Sequence, residues 1–102
     1  MTIVYLNGEF LPIERAQVSV LDRGFIFGDG VYEVIPVYGG RLFRLDQHLE
    51  RLARSLAAIR LTNPLTNEMW RQCLQELVAR NDGGDQSVDV QITRGAAPRD
   101  HG

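Results

Sequence analysis

Four side chains in this sequence are of the kinds that hold anions. Tyr32 leaves a bend that carries three glycines in seven residues, Gly24, Gly28 and Gly30. Glycine there permits positive φ and close approach by another group, and a phenol at the exit of the bend can donate to a substrate carboxylate. Arg51 lies beside the apolar stripe of a helix, where its fork can run along a sheet edge and bind phosphate through two parallel hydrogen bonds. Arg99 and His101 alternate on a loop that contains Pro98, so in an extended loop they share one side and can clamp a carboxylate. Each has a plainer reading as well: a core tyrosine, a solvated helix arginine, a frayed polar tail. His48, one helical turn before Arg51, reads as a structural or helix-capping histidine. One cysteine and two separated histidines do not make the clustered ligand set of a metal site, and none is expected.

The chain that must position these groups has 102 residues, enough for one domain with one modest core. Its net charge of -2 and the absence of a basic run argue against nucleic acid as a partner. Cys73 is the only cysteine, so no internal disulfide can form, which fits a reducing compartment. No apolar run approaches the roughly 18 residues of a membrane span, and the first residues lack the pattern of a signal peptide. A cytoplasmic location is the expectation. All 11 residues counted as lysine plus arginine are arginines. No side chain of this sequence can therefore bond to an aldehyde cofactor as a lysine amine does.

Residues 3–13 read as a hairpin, with Asn7-Gly8 between Ile3-Val4-Tyr5-Leu6 and Glu9-Phe10-Leu11. Pro12 ends or edges the second strand. A connector and Val18-Ser19-Val20-Leu21 lead into the glycine bend. Residues 31–38 form a strand with Tyr32, Val34, Pro36 and Tyr38 on one face and Val31, Glu33, Ile35 and Val37 on the other. Pro36 cannot donate to a ladder, so an edge or a bulge is expected there. Gly39-Gly40 turns the chain and residues 41–44 return as the partner strand. Asp46 is a candidate N-cap for a helix whose apolar stripe is Leu45, Leu49, Leu52, Leu56 and Ile59. Asn63-Pro64 ends that segment. Thr66 caps a second helix with Met69, Trp70, Cys73, Leu74, Leu77 and Val78 on its buried face, and residues 81–84 stop it. Residues 86–93 alternate as a half-buried strand, with Val88, Val90 and Ile92 inward. The order ββ-ββ-αα-β is that of an α+β domain, a mostly antiparallel sheet with two helices on one face.

Asp22-Arg23-Gly24-Phe25-Ile26-Phe27-Gly28-Asp29-Gly30-Val31-Tyr32-Glu33-Val34 resembles a signature of the class IV (fold type IV) pyridoxal-phosphate aminotransferases. So do the stretch from Leu45 to Arg51 and that from Thr93-Arg94-Gly95 through Pro98-Arg99-Asp100-His101. The similarity is to the family's small N-terminal domain and covers nearly the whole chain. The glycine bend with Val-Tyr-Glu is a class-level feature. Arg-x-His is similar to the D-amino acid transaminase branch, and differs from the branched-chain aminotransferases and the aminodeoxychorismate lyases. The resemblance implies that Arg51 contacts the cofactor phosphate. It implies that Tyr32, with Arg99 and His101 reaching over from the other subunit of a homodimer, traps the substrate α-carboxylate, and that Val34 lines the small side-chain pocket. The implied reaction exchanges an amino group between a D-amino acid and a 2-oxo acid, of the type D-alanine plus 2-oxoglutarate to pyruvate plus D-glutamate. The family's cofactor-bonding lysine belongs to a second, larger domain. Residues 1–102 are therefore expected to be the N-terminal domain alone, with no catalytic residue of their own and no activity in isolation. The alternatives are lyase or branched-chain chemistry on the same fold, or a non-catalytic truncated domain that only associates through an uncovered apolar face.

Overall fold

The computed structural model describes residues 2–23, 28–82 and 84–95. Strands β1 (Ile3–Leu6) and β2 (Glu9–Pro12) open the chain and a 3-10 turn over Ile13–Arg15 follows. Asn7 and Gly8 both have positive φ, 50° and 91°. These are the dihedrals of a type I′ turn, whose twist matches the strands it joins. After the glycine bend come β3 (Gly30–Tyr38), β4 (Arg41–Leu42), helix α1 (Leu45–Ala58), helix α2 (Asn67–Arg80) and β5 (Gln86–Thr93). The expected α+β class stands. The strands, however, make two antiparallel sheets rather than one: β1-β2, and β4-β3-β5 with the long β3 in the middle.

The two-residue period of β3 decides the layering. Glu33, Ile35 and Val37 are buried, while Tyr32, Val34 and Tyr38 are exposed. Val88 and Val90 of β5 join the inner face, and both helices cover it. Leu45, Leu49, Leu52 and Leu56 of α1 pack with Trp70, Leu74 and Val78 of α2 in one cluster. Met69, assigned by its spacing to the buried face of α2, is half exposed; Trp70 beside it fills the space over the sheet. The indole N–H of Trp70 donates to Asn63 Oδ1 at 2.8 Å, so the polar end of that ring has a partner.

The helix ends depart from expectation in one place. Thr66 does cap α2, its hydroxyl oxygen accepting from the Met69 amide at 3.2 Å. Asp46 does not cap α1. It lies inside the first turn, paired with Arg71 of α2, and the cap position is Arg44 in a left-handed conformation with no side-chain cap bond. At the other end, the amides of Arg60 and Leu61 donate to the carbonyls of Ala57 and Leu56. That is a Schellman closure with Arg60, φ 57°, in the place glycine usually takes.

Pro36 explains why β4 is short. Its carbonyl accepts from the Phe43 amide at 2.8 Å, so its nitrogen also faces the β4 side, where it has nothing to donate. The β3–β5 register runs unbroken through Pro36 and Ser87. The proline therefore marks an edge and no bulge, and β4 pairs only with Val37 and Tyr38. The β1-β2 hairpin is tied on by Asn81, just past α2. Its amide nitrogen donates to the Ile3 carbonyl at 2.8 Å and its Oδ1 accepts from the Ile3 amide at 2.9 Å. The Arg80 guanidinium also lies 4.4 Å from the centre of the Phe10 ring. No helix among the described residues is long and apolar enough to cross a membrane.

Gly30 starts β3 where β5 comes closest. A Cβ at this position would stand 2.5 Å from the Ile92 carbonyl oxygen, a backbone atom that cannot swing away. Gly30→Ala must push the two central strands apart. The expected cost is about 1–3 kcal/mol, the range for overpacking, read as a lowered denaturation midpoint; an unchanged midpoint would show that the strands separate freely there.

Candidate anion-binding site

Glu33 is the buried acidic side chain among the described residues, only 4% exposed. Strand parity sends it inward beside Ile35 and Val37, under α1. Its two oxygens accept from Arg51 as a fork: Nε to Oε2 and Nη2 to Oε1, both at 2.8 Å. His48, one turn earlier on α1, places Nδ1 2.8 Å from the same Oε1. An ionised carboxylate only accepts, so Nδ1 carries the proton in this pair. The Arg51 fork holds the Glu33 carboxyl below its usual range against the opposing push of burial, and His48 adds to the lowering. Glu33 in return raises Arg51.

Only one edge of the guanidinium is used in this way. The Arg51 side chain is 60% exposed. It borders a shallow cavity of about 250 Å³ whose other walls are Arg44, Gln47, His48 and Arg54. These positions recur every three or four residues along one side of α1. A water occupies roughly 30 Å³ of liquid volume, so there is room for an oxyanion and its hydration. Arg44 and Arg54 have no acidic partner among the described residues, and Arg44 lies 5.3 Å from the centre of the Phe43 ring. Three guanidinium groups against the single carboxylate of Glu33 leave the cavity positive, which favours an anion. A larger open cavity, about 1170 Å³, runs beneath the hairpin along β5 and touches Tyr32. Its charged lining residues, Asp22 and Asp89, are acidic, the wrong sign for the same ligand.

A second polar cluster fixes the ends of the glycine bend. Asp29 accepts from Arg23 Nε and from Arg94 Nε, each at 2.9 Å. The Arg94 guanidinium also donates to the Ile59 carbonyl at the end of α1. The Arg23 amide donates to the Gly95 carbonyl at 2.8 Å, and Thr93 Oγ1 to Asp22 Oδ1 at 2.8 Å. Hydrogen bonding from Arg23 leads the effects that hold the Asp29 carboxyl below its usual range. The start of β3, the end of β5 and the end of α1 are thus joined at one aspartate. Gly95, from which the chain runs on to residues 96–102, is held at the same place.

The sequence-derived residues separate into three groups. Tyr32, 73% exposed, and Val34, 45% exposed, stand together on the open face of the sheet. Arg51 lies on the helix side of the same strand, joined to Glu33. Arg99 and His101 fall outside the described residues. The residue that sequence reasoning missed is Glu33. Its signal was present: an acid at an inward position of a Val/Ile strand, followed by a histidine and an arginine one turn apart on the next helix.

Residues 30–102 match the family model described as Amino-transferase class IV. A D-alanine aminotransferase from Staphylococcus haemolyticus is 44% identical over 99% of this chain and 36% of its own length. The chain thus spans about a third of the length of the curated relatives it matches. Among solved structures, the branched-chain aminotransferase of the archaeon Thermoproteus uzoniensis with norvaline aligns with a TM-score of 0.73 at 34% identity, over 88% of this chain and 31% of that one. The 4-amino-4-deoxychorismate lyase from Pseudomonas aeruginosa aligns at 0.70 and 33% identity, over 85% and 31%.

The lowered Glu33 carboxyl sets a pH dependence. Its contribution to stability is complete above the ordinary value of 4.5 and is lost as pH falls through the lower folded-state value. Glu33→Gln, which cannot ionise, should flatten the stability profile in that acid range. At neutral pH it should cost about 1–3 kcal/mol, toward the lower end because water screens the exposed Arg51. Melting temperatures of both proteins between pH 3 and 7 check this, on the acid side of roughly the usual carboxylate range; parallel curves would mean that Glu33 does not titrate with folding.

Proposed function

This chain belongs to the class IV amino-transferase family, and from that premise we propose that it is the N-terminal part of a pyridoxal-phosphate-dependent D-amino acid transaminase. The observation that carries the reading is the free edge of the Arg51 guanidinium in a cavity lined by Arg44 and Arg54. A phosphate monoester, a compact anion that accepts parallel hydrogen bonds, fits that donor set. The likeness along nearly the whole chain to D-alanine aminotransferases favours a D-amino acid as amino donor over the branched-chain and lyase chemistries named for the structural neighbours.

In this reading Arg51 anchors the cofactor by its phosphate, and α1 with its buried leucines keeps that anchor in place. Pyridoxal phosphate, when bound, supplies the electron sink that makes the proton on the substrate's α-carbon removable. The Tyr32 hydroxyl donates to the substrate carboxylate, and Arg99 and His101 of the second subunit of a homodimer pair with it. Val34, beside Tyr32 on the same face, limits the small side-chain pocket. The exposed Tyr32, Val34, Tyr38 and Phe43 supply the kind of apolar surface that association covers. The cofactor-bonding lysine comes from a larger domain beyond these residues, in keeping with a chain that has no lysine of its own. The location is cytoplasmic.

The full-length protein incubated with D-alanine and 2-oxoglutarate should release pyruvate and D-glutamate, while residues 1–102 alone should release neither. Arg99→Ala should raise the KM for D-alanine about tenfold or more, the loss of a charged hydrogen bond worth roughly 1.5–3 kcal/mol. Turnover of branched-chain L-amino acids with none of D-alanine would overturn the assignment.

A further inference from the structure

Packing alone does not call for a carboxylate at Glu33. Its strand neighbours on the inner face are Ile35 and Val37, and an apolar residue there would pack under α1 without the desolvation that a carboxylate brings. What the carboxylate does achieve is directional. Accepting both Nε and Nη2 fixes the plane of the Arg51 guanidinium, and so fixes where Nη1 and the outer Nη2 hydrogen point. His48 bonds the same Oε1 and holds the carboxylate against rotation. An exposed arginine without this brace samples many rotamers and must be ordered when it binds. We propose that Glu33, braced by His48, is a positioning residue that presents the free edge of Arg51 to the phosphate of the cofactor. This rests on the reading of Arg51 as the phosphate ligand.

Pyridoxamine 5′-phosphate and pyridoxamine, which form no covalent bond to a lysine, separate the two ideas when titrated into the full-length protein. Arg51→Ala should abolish most of the preference for the phosphorylated ligand. If it leaves that preference intact, the reading of Arg51 itself fails. Glu33→Gln should reduce affinity for pyridoxamine 5′-phosphate about tenfold, leave pyridoxamine binding unchanged, and add no further loss when combined with Arg51→Ala. Should Glu33→Gln fold poorly, Glu33→Asp keeps the charge but withdraws it by one methylene, and should lose preference in the same direction. If Arg51→Ala removes the preference and both Glu33 variants retain it, or if they weaken both ligands equally, Glu33 is structural only and the inference is overturned.

Discussion

A carboxylate lies under α1 on a strand face that otherwise offers isoleucine and valine to the core. Much of the arrangement around it follows from that one placement. Burial of an ionised group demands partners, and α1 supplies two on one side, three residues apart, so the rotation of that helix about its axis is set by polar as well as apolar contacts. The leucine stripe alone would tolerate some sliding. The fork from Arg51 and the imidazole from His48 do not, because each depends on a donor–acceptor distance of 2.8 Å. The same two-residue period that turns Glu33 inward turns Tyr32 and Val34 outward. One strand thereby separates the side that carries Arg51 from a face with an exposed phenol, with a single peptide unit between them.

Asp29 performs the complementary task at the other end of β3. It gathers arginines from before the glycine bend and after β5, and through Arg94 it reaches the end of α1. Three chain segments far apart in sequence meet there, and the close approach of β3 to β5 at Gly30 lies one residue away. The two ends of the bend are therefore held by backbone and side-chain hydrogen bonds.

Much of this was legible beforehand. The hairpin turn, the two helices and the alternation of β3 and β5 are local signals, written in Asn7-Gly8, in the leucine spacing and in Val88-x-Val90. Two kinds of information were not local. The helix α1 begins one residue before Asp46, which pairs instead with Arg71 of α2, a tertiary contact that no window of sequence contains. The role of Glu33 required knowing that α1 returns over β3 in one particular register. Conversely, helix position left Arg51 open between an anion ligand and a solvated arginine, and one edge of its guanidinium is in fact spent on a neighbour. The family resemblance was informative because it drew on spacing across the whole chain, where helix position alone could not tell a ligand from a solvated arginine.

The β1-β2 hairpin stands apart from the β4-β3-β5 sheet of the core; Asn81 and the stacking of Arg80 on Phe10 attach it. A two-stranded ribbon has little intrinsic stability in water, so its persistence is borrowed from a side chain at the end of α2. Deuterium would therefore enter the ladder amides of Val4 and Leu11 through a brief detachment of the ribbon, while those of Ile35 and Val88 would wait for the whole domain to open. On that account the amino-terminal ribbon and the three-stranded sheet open on different timescales, joined by an asparagine latch.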